Sequence, residues 1–331
     1  MRRTKIITVI LASLFTVMVP LAADGLPENM AFSIGVDFAY YPKSDHIAGS
    51  GDTFAPVTGA YSGIEGRVTG NISYSLPTPL GESWLVKDAN VVFNGKLELT
   101  PVSVKPGISV SFTPLPFLVF SAGFDAGTGW DLGTLFKGGM ASLSTGTNPY
   151  EYNALPAFAH WFLKPWFQAT FQFDTGAIFK GDWTHVVMQA SYQAYYEGIT
   201  GMADGEIWKW QLTGNKVNGW KQYINVVVAY QMPLVIKRAG ILFEWDGYYS
   251  PAAYNTDRYG GYDATFMECS IGPLAQFEFN EHHNLTVLFG FSSRRRFSYY
   301  NPEISVMEPT WSASGREWYF KRLALSYTYK F

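Results

Sequence analysis

The feature that most constrains this chain is a two-residue alternation of apolar and polar side chains, repeated in segments of about ten to thirteen residues and held to the last residue. The final nine residues, LALSYTYKF, place Leu323, Leu325, Tyr327, Tyr329 and Phe331 on one face of an extended strand. Ala324, Ser326, Thr328 and Lys330 fall on the other. Chain ends are ordinarily polar and frayed, so an aromatic end on a strict strand implies that the terminus has a place to be.

The same pattern recurs upstream. Ile64, Val68, Ile72, Tyr74 and Leu76 oppose Glu65, Arg67, Thr69, Asn71 and Ser73. Val91, Phe93, Leu97 and Leu99 oppose Asn94, Lys96 and Glu98. Further apolar rows run through 163–173, 186–196, 224–232, 241–245 and 285–291. Such lengths suit strands that cross a bilayer at a tilt. No run beyond the first residues approaches the 18 or more apolar residues that a membrane-spanning helix needs.

Composition separates the two homes open to such strands. The chain holds 25 Phe, 21 Tyr, 11 Trp and 32 Gly, with only 15% charged residues. A soluble sandwich needs neither that aromatic excess nor an aromatic terminus, whereas lipid-facing strands and interfacial girdles need both. The expected fold is therefore all-β: a transmembrane antiparallel up-and-down β-barrel of about 12 strands, within a range of 12–14.

Arg2, Arg3 and Lys5, the apolar run from Ile6 to Val19, and Ala22-Ala23 form a secretory signal pattern. Residues 1–23 are thus expected to be removed, leaving 24–331 as a single barrel. Cleavage takes three basic residues and no acidic one, moving the formal charge from -3 to about -6. A mildly acidic chain lacks the basic stripe of a nucleic-acid binder, and the single Cys269 excludes a disulfide framework.

Connections alternate between short and long. Reading back from the end, 298–315 is long, 280–283 tight, 250–261 long, 235–238 short, and 42–60 long again. One region departs from the pattern: a Gly-rich insert at about 125–160 that alternates weakly. Reading Ile108–Phe124 as one strand gives twelve strands, with the insert free to fold inward as a constriction. A turn at 113–116 with a further strand at 132–143 gives fourteen.

The signal pattern, the strand and loop rhythm, and the aromatic-ended LALSYTYKF resemble a Gram-negative-type outer-membrane β-barrel of porin-like kind. The aromatic-rich style, with Gly127-Thr128-Gly129-Trp130, also loosely resembles spirochaete outer-membrane proteins of unassigned function. The resemblance implies location in the outer membrane, contact with its lipids, and passage through the barrel-assembly machinery, for which Tyr327, Tyr329 and Phe331 would be the signal. It implies no cofactor and no metal.

Parity then assigns the lumen. Glu65, Arg67, Lys96, Glu98, Lys164, Asp174, His185, Glu244, Asp246, Arg294, Arg296 and Arg322 are the expected inward charges that would set selectivity, joined by Asp37, Lys105 and Lys209. Charges in a low-dielectric wall must be paired or hydrated, so they either fill the lumen or line a wet channel. A barrel of this size is narrower than the open porins and wider than a side-chain-filled one. An enzyme is not expected. His185 and Ser191 share a face but lie roughly 20 Å apart along the strand, and no GxSxG or HExxH motif occurs. The function read from the sequence is a passive or weakly selective channel for small solutes; a non-conducting surface barrel whose loops bind partners is the alternative.

Overall fold

The computed structural model describes residues 27–331 apart from 48, 50–51, 133–138, 144–150, 212, 256–262 and 300–311. The expected signal segment 1–23 lies outside the described residues. Twelve long strands close into one antiparallel barrel: β1 (Met30–Lys43), β2 (Gly59–Pro77), β3 (Asn90–Thr100), β4 (Ser103–Leu115), β5 (Leu118–Gly129), β6 (Phe162–Asp174), β7 (His185–Ile199), β8 (Gly219–Gln231), β9 (Ile236–Tyr248), β10 (Glu268–Glu278), β11 (His283–Tyr299) and β12 (Ser312–Lys330).

Closure is made by the two ends of the chain. β12 pairs with β1 from Ser33↔Lys330 to Tyr40↔Leu323, so the sheet has no open edge. Phe331 N–H donates to the Phe32 carbonyl at 3.1 Å, and the two rings lie 4.9 Å apart. The aromatic end is thus held by both backbone and side chain.

The distribution of side chains is the inverse of a soluble protein's. Ile108 is 70% exposed and Phe167 61%, both on the outer face, while Glu197, Glu317, Ser292 and Ser293 are buried. Exposed aromatics gather toward the two ends of the wall, with Tyr74, Phe171, Phe279 and Phe331 at one and Trp161, Trp220 and Tyr249 at the other. That arrangement fits a hydrocarbon slab between two aqueous interfaces.

Pro106, Pro165 and Pro273 sit in the middle of wall strands. Pro106 is paired with Leu97 on β3, while the ladder from β4 to β5 is interrupted at 105–106. Pro165 pairs with Phe124, and the ladder to β7 skips 164–165. Pro273 pairs with Ile241, and the ladder to β11 skips 272–273. Each proline lacks the N–H that one neighbour would want, and each sits where that neighbour's ladder breaks.

Two sequence expectations need correction. The count of twelve holds, but Ile108–Phe124 is not one strand: it is a hairpin of β4 and β5 turning at Pro116-Phe117. β5 then continues to Gly129, past the expected start of the insert. Within the alternative strand 132–143, Met140–Leu143 is extended but belongs to a separate small sheet, not to the wall. Connections at the end where the termini meet (the terminal end) are short at 116–117, 232–235 and 279–282, but 78–89 and 175–184 are longer. Most long connections, including 130–161 and 200–218, lie at the opposite loop end.

A Cβ built on Gly240 would fall 2.2 Å from the Val228 carbonyl oxygen and 2.5 Å from the Ala229 Cα, contacts that no rotamer relieves. Gly240→Val is expected to lower barrel stability by about 1–3 kcal/mol. Gly66→Ala, with nothing within 4 Å of the new atom, should leave it unchanged. The heating midpoint of the electrophoretic shift between folded and unfolded forms measures both; equal midpoints would show that the strand contact does not limit stability.

Candidate functional site: the lumen

The inward face of the wall divides by size. β1–β5 turn small residues inward, among them Ser33, Gly35, Ser73, Gly107, Ser109 and Gly123; β6–β9 turn large ones, among them Trp166, Gln168, Gln193, Tyr223 and Arg238. The small sector leaves a cavity of about 480 Å³ that reaches from mid-barrel to the terminal end, where Lys330 and Phe331 border it.

The loop end is filled instead. Met140–Leu143, Tyr152–Ala154, Trp208–Trp210 and Thr213–Lys216 form a four-stranded antiparallel sheet. It lies against the lumen side of the wall. Trp210 stacks on Phe162 of β6 at 4.7 Å, and both pack with Met140, Ile199 and Trp208 in one buried cluster. Asn218 ties this sheet to the wall: its Oδ1 accepts from Trp208 Nε1 and from the Ile199 backbone N–H, both at 2.9 Å. Met140–Leu143 and Tyr152–Ala154, from the expected insert, thus share one sheet with the connection between β7 and β8.

Most of the charges expected in the lumen are ion-paired or hydrogen-bonded. Arg67 lies 2.6 Å from Asp37 and 3.5 Å from Glu98, whose carboxylate also meets Lys105 at 3.1 Å. Lys96 meets Asp125 at 3.0 Å. Glu65 accepts from Tyr41 Oη at 2.8 Å. Glu244 receives the Tyr223 hydroxyl and lies 3.7 Å from Arg322. Asp246 pairs with Lys221, which also meets the buried Glu197 at 3.2 Å; Lys216 reaches Glu197 at 3.1 Å. Lys164 lies 4.0 Å over the Tyr195 ring, and Lys209 sits 3.9 Å over that of Tyr152. Asp174 and His185 pair at 2.9 Å beside the 175–184 turn, where Asp174 also caps Gly176 N–H.

Arg294 and Arg296 stand at the loop-end rim. Arg294 lies 2.6 Å from Glu317, a fully buried carboxylate, and donates to the carbonyls of Ser44 and Asp45 at 2.7 and 2.8 Å. Arg296 donates to the Ser314 carbonyl at 3.1 Å. These arginines therefore anchor the loop after β1 to the wall. His46, on that loop, has Nδ1 2.9 Å from Glu317 and is held down from 6.5 to about 4, first by burial and then by the Arg294 charge.

Lys216, Lys221, Glu197, Glu317 and Asp125 were missed from the sequence. The signal was present for Glu197, which continues the inward row His185, Gln189, Ser191 and Gln193 beyond the expected strand end. Lys221 precedes the apolar row read at 224–232, and Asp125 lies at the edge of the expected insert. Among the described residues no group of three or more His, Cys, Asp or Glu converges as a metal site.

No protein-family model matches this sequence, and no curated protein matches it. Among solved structures, the chain is similar to an outer-membrane channel from Pseudomonas putida F1, at 8% identity and a TM-score of 0.43 over 93% of this chain and 97% of that one. It is similar to the β domain of the Bordetella autotransporter BrkA at 8% identity and a TM-score of 0.42, covering 91% and 99% of the two chains. It is also similar to the NanC porin at 8% identity and 0.37, covering 90% and 100%. Each is a likeness of fold alone.

Removing one member of a buried pair strands the other. Lys221→Met, which leaves Asp246 and Glu197 short of a cation, should cost about 3–5 kcal/mol, read as a lowered unfolding midpoint; a midpoint within error of the parent would mean that water already solvates the group. The loop anchor has a pH signature. Because folding lowers the His46 pKa, the unfolded loop binds the extra proton first, so anchoring is complete above pH 6.5 and weakens as pH falls toward about 4. Limited proteolysis at 44–58 should accelerate over that window, and His46→Gln should flatten the dependence.

Proposed function

We propose that this chain is an integral outer-membrane channel that passes small solutes passively, with a loop-end mouth narrowed by its own inner sheet. The observation that supports this reading is the cavity of about 480 Å³ running up the lumen from the terminal end, bordered by ion-paired side chains. A barrel that served only as a scaffold would gain stability by filling that space with packed side chains. Lipids contact the apolar outer face, and the assembly machinery reads the end Tyr327, Tyr329 and Phe331, whose rings lie on that same face.

The buried inner sheet favours one alternative, a barrel shut at the loop end whose loops serve as a binding surface. Planar-bilayer recording of the refolded full chain separates the two. The channel reading expects discrete steps, and expects replacement of residues 131–158 by a short Gly-Ser turn to raise the conductance severalfold. A parent that is silent with a conducting deletion variant would identify a closed channel. Silence in both, with the folded electrophoretic band intact, would establish the non-conducting barrel.

A further inference from the structure

The cavity holds a feature that channel function alone does not require. Trp166 of β6 faces Gly123 of β5 in register, and a Cβ at 123 would stand 2.4 Å from the indole ring. The absent side chain lets the indole lie over bare backbone at the border of the cavity. One strand over, Gly107 faces Asp125 in register, and a Cβ there would stand 2.1 Å from Asp125 Oδ1. Asp125 is 9% exposed and meets Lys96 at 3.0 Å. Two glycines on adjacent strands therefore make room for one aromatic plate and one nearly buried carboxylate paired with a half-exposed ammonium, side by side on the cavity wall.

We propose that this wall is a binding site for neutral, hydroxyl-rich solutes of the saccharide class; the proposal rests on the solute-channel reading and names the class it would take. An aromatic face offers an apolar plate to the C–H side of a sugar ring, as amphipathic rings do when one side is dry and the other wet. Asp125 and Lys96 offer a charged acceptor and donor to hydroxyls, the stronger kind of hydrogen bond. Their charges cancel, so the pair recognises hydroxyls without demanding a charged ligand. Asn71, Asn94 and Ser109 add neutral donors and acceptors on the same wall. The volume lies within the range of small-molecule sites. Of the charged side chains bordering the cavity, Lys96 and Asp125 are paired with each other and Lys330 stands at the rim.

Calorimetric titration of the refolded full chain in detergent with maltose, methyl glucoside, glucose 6-phosphate and glycerol tests the site without needing conductance. Saturable binding of maltose or methyl glucoside, with no heat from glycerol, is expected. Trp166→Ala should weaken it at least tenfold, and Gly123→Ala, which pushes the indole off the wall, at least threefold. Asn94→Leu offers a milder variant should Trp166→Ala fail to fold. Binding of glucose 6-phosphate alone, binding indifferent to all three substitutions, or no binding by a folded parent would overturn the proposal. Sugar binding by a barrel whose parent and deletion forms are both silent in bilayers would sustain the site and defeat the channel; conductance without binding would do the reverse.

Discussion

Everything in this structure depends on closing the sheet. In hydrocarbon each unpaired backbone N–H or carbonyl costs several kcal/mol, so a strand edge cannot be left to water as it can in a soluble sheet. The chain meets that demand by bringing its last strand onto its first over Ser33–Tyr40 and Leu323–Lys330. The Phe32–Phe331 contact then covers the last backbone bond. The same demand explains the placing of Pro106, Pro165 and Pro273. Each removes one donor, and each sits where the facing ladder is already broken, so no acceptor is left opposite a missing N–H across a paired register.

Closure fixes the circumference, and the lumen must then be filled or wetted. The two halves of the barrel resolve this differently. At the loop end the inner sheet and its tryptophans occupy the space, and buried ions such as Glu197 are tolerable because Lys216 and Lys221 stand within 3.2 Å. Toward the terminal end the small side chains of β1–β5 leave room. The division is written residue by residue: Gly107, Ser109 and Gly123 on one wall face a cavity that a leucine at any of them would shrink.

Much of this was legible in the sequence because lipid enforces parity. A residue's face follows from its position alone, so the outward rows and the inward charges could be assigned without knowing which strands are neighbours. What parity cannot show is pairing. Asp37, Arg67, Glu98 and Lys105 come from four strands, and only register brings them into one network. The β4–β5 hairpin was hidden for a more particular reason. A two-residue turn pairing Leu115 with Leu118 would reverse parity, as the turn at 101–102 does when Leu99 and Val104 face each other. The register shift between Phe112 and Leu115 restores it, so that Phe112 and Phe120 both lie on even positions facing outward, and the alternation runs on as though no turn intervened. The inner sheet was illegible because its strands are only three or four residues long.

The pairing of the lumen charges changes how selectivity should be understood. An isolated charge in a low-dielectric tube projects its field along the axis and sorts ions by sign. A charge held 3 Å from its opposite presents a dipole, whose field decays faster and has no single sign to offer. Asp37–Arg67, Lys96–Asp125 and Lys221–Asp246 are all of this second kind. As the proposed channel, a lumen so neutralised would discriminate less by charge than by width and by the hydrogen bonds it offers. Both are set by where the chain places glycine and where it places an aromatic ring. On the proposed reading, Gly123 beneath Trp166 would then be as much a determinant of what can dwell in this barrel as any of its arginines.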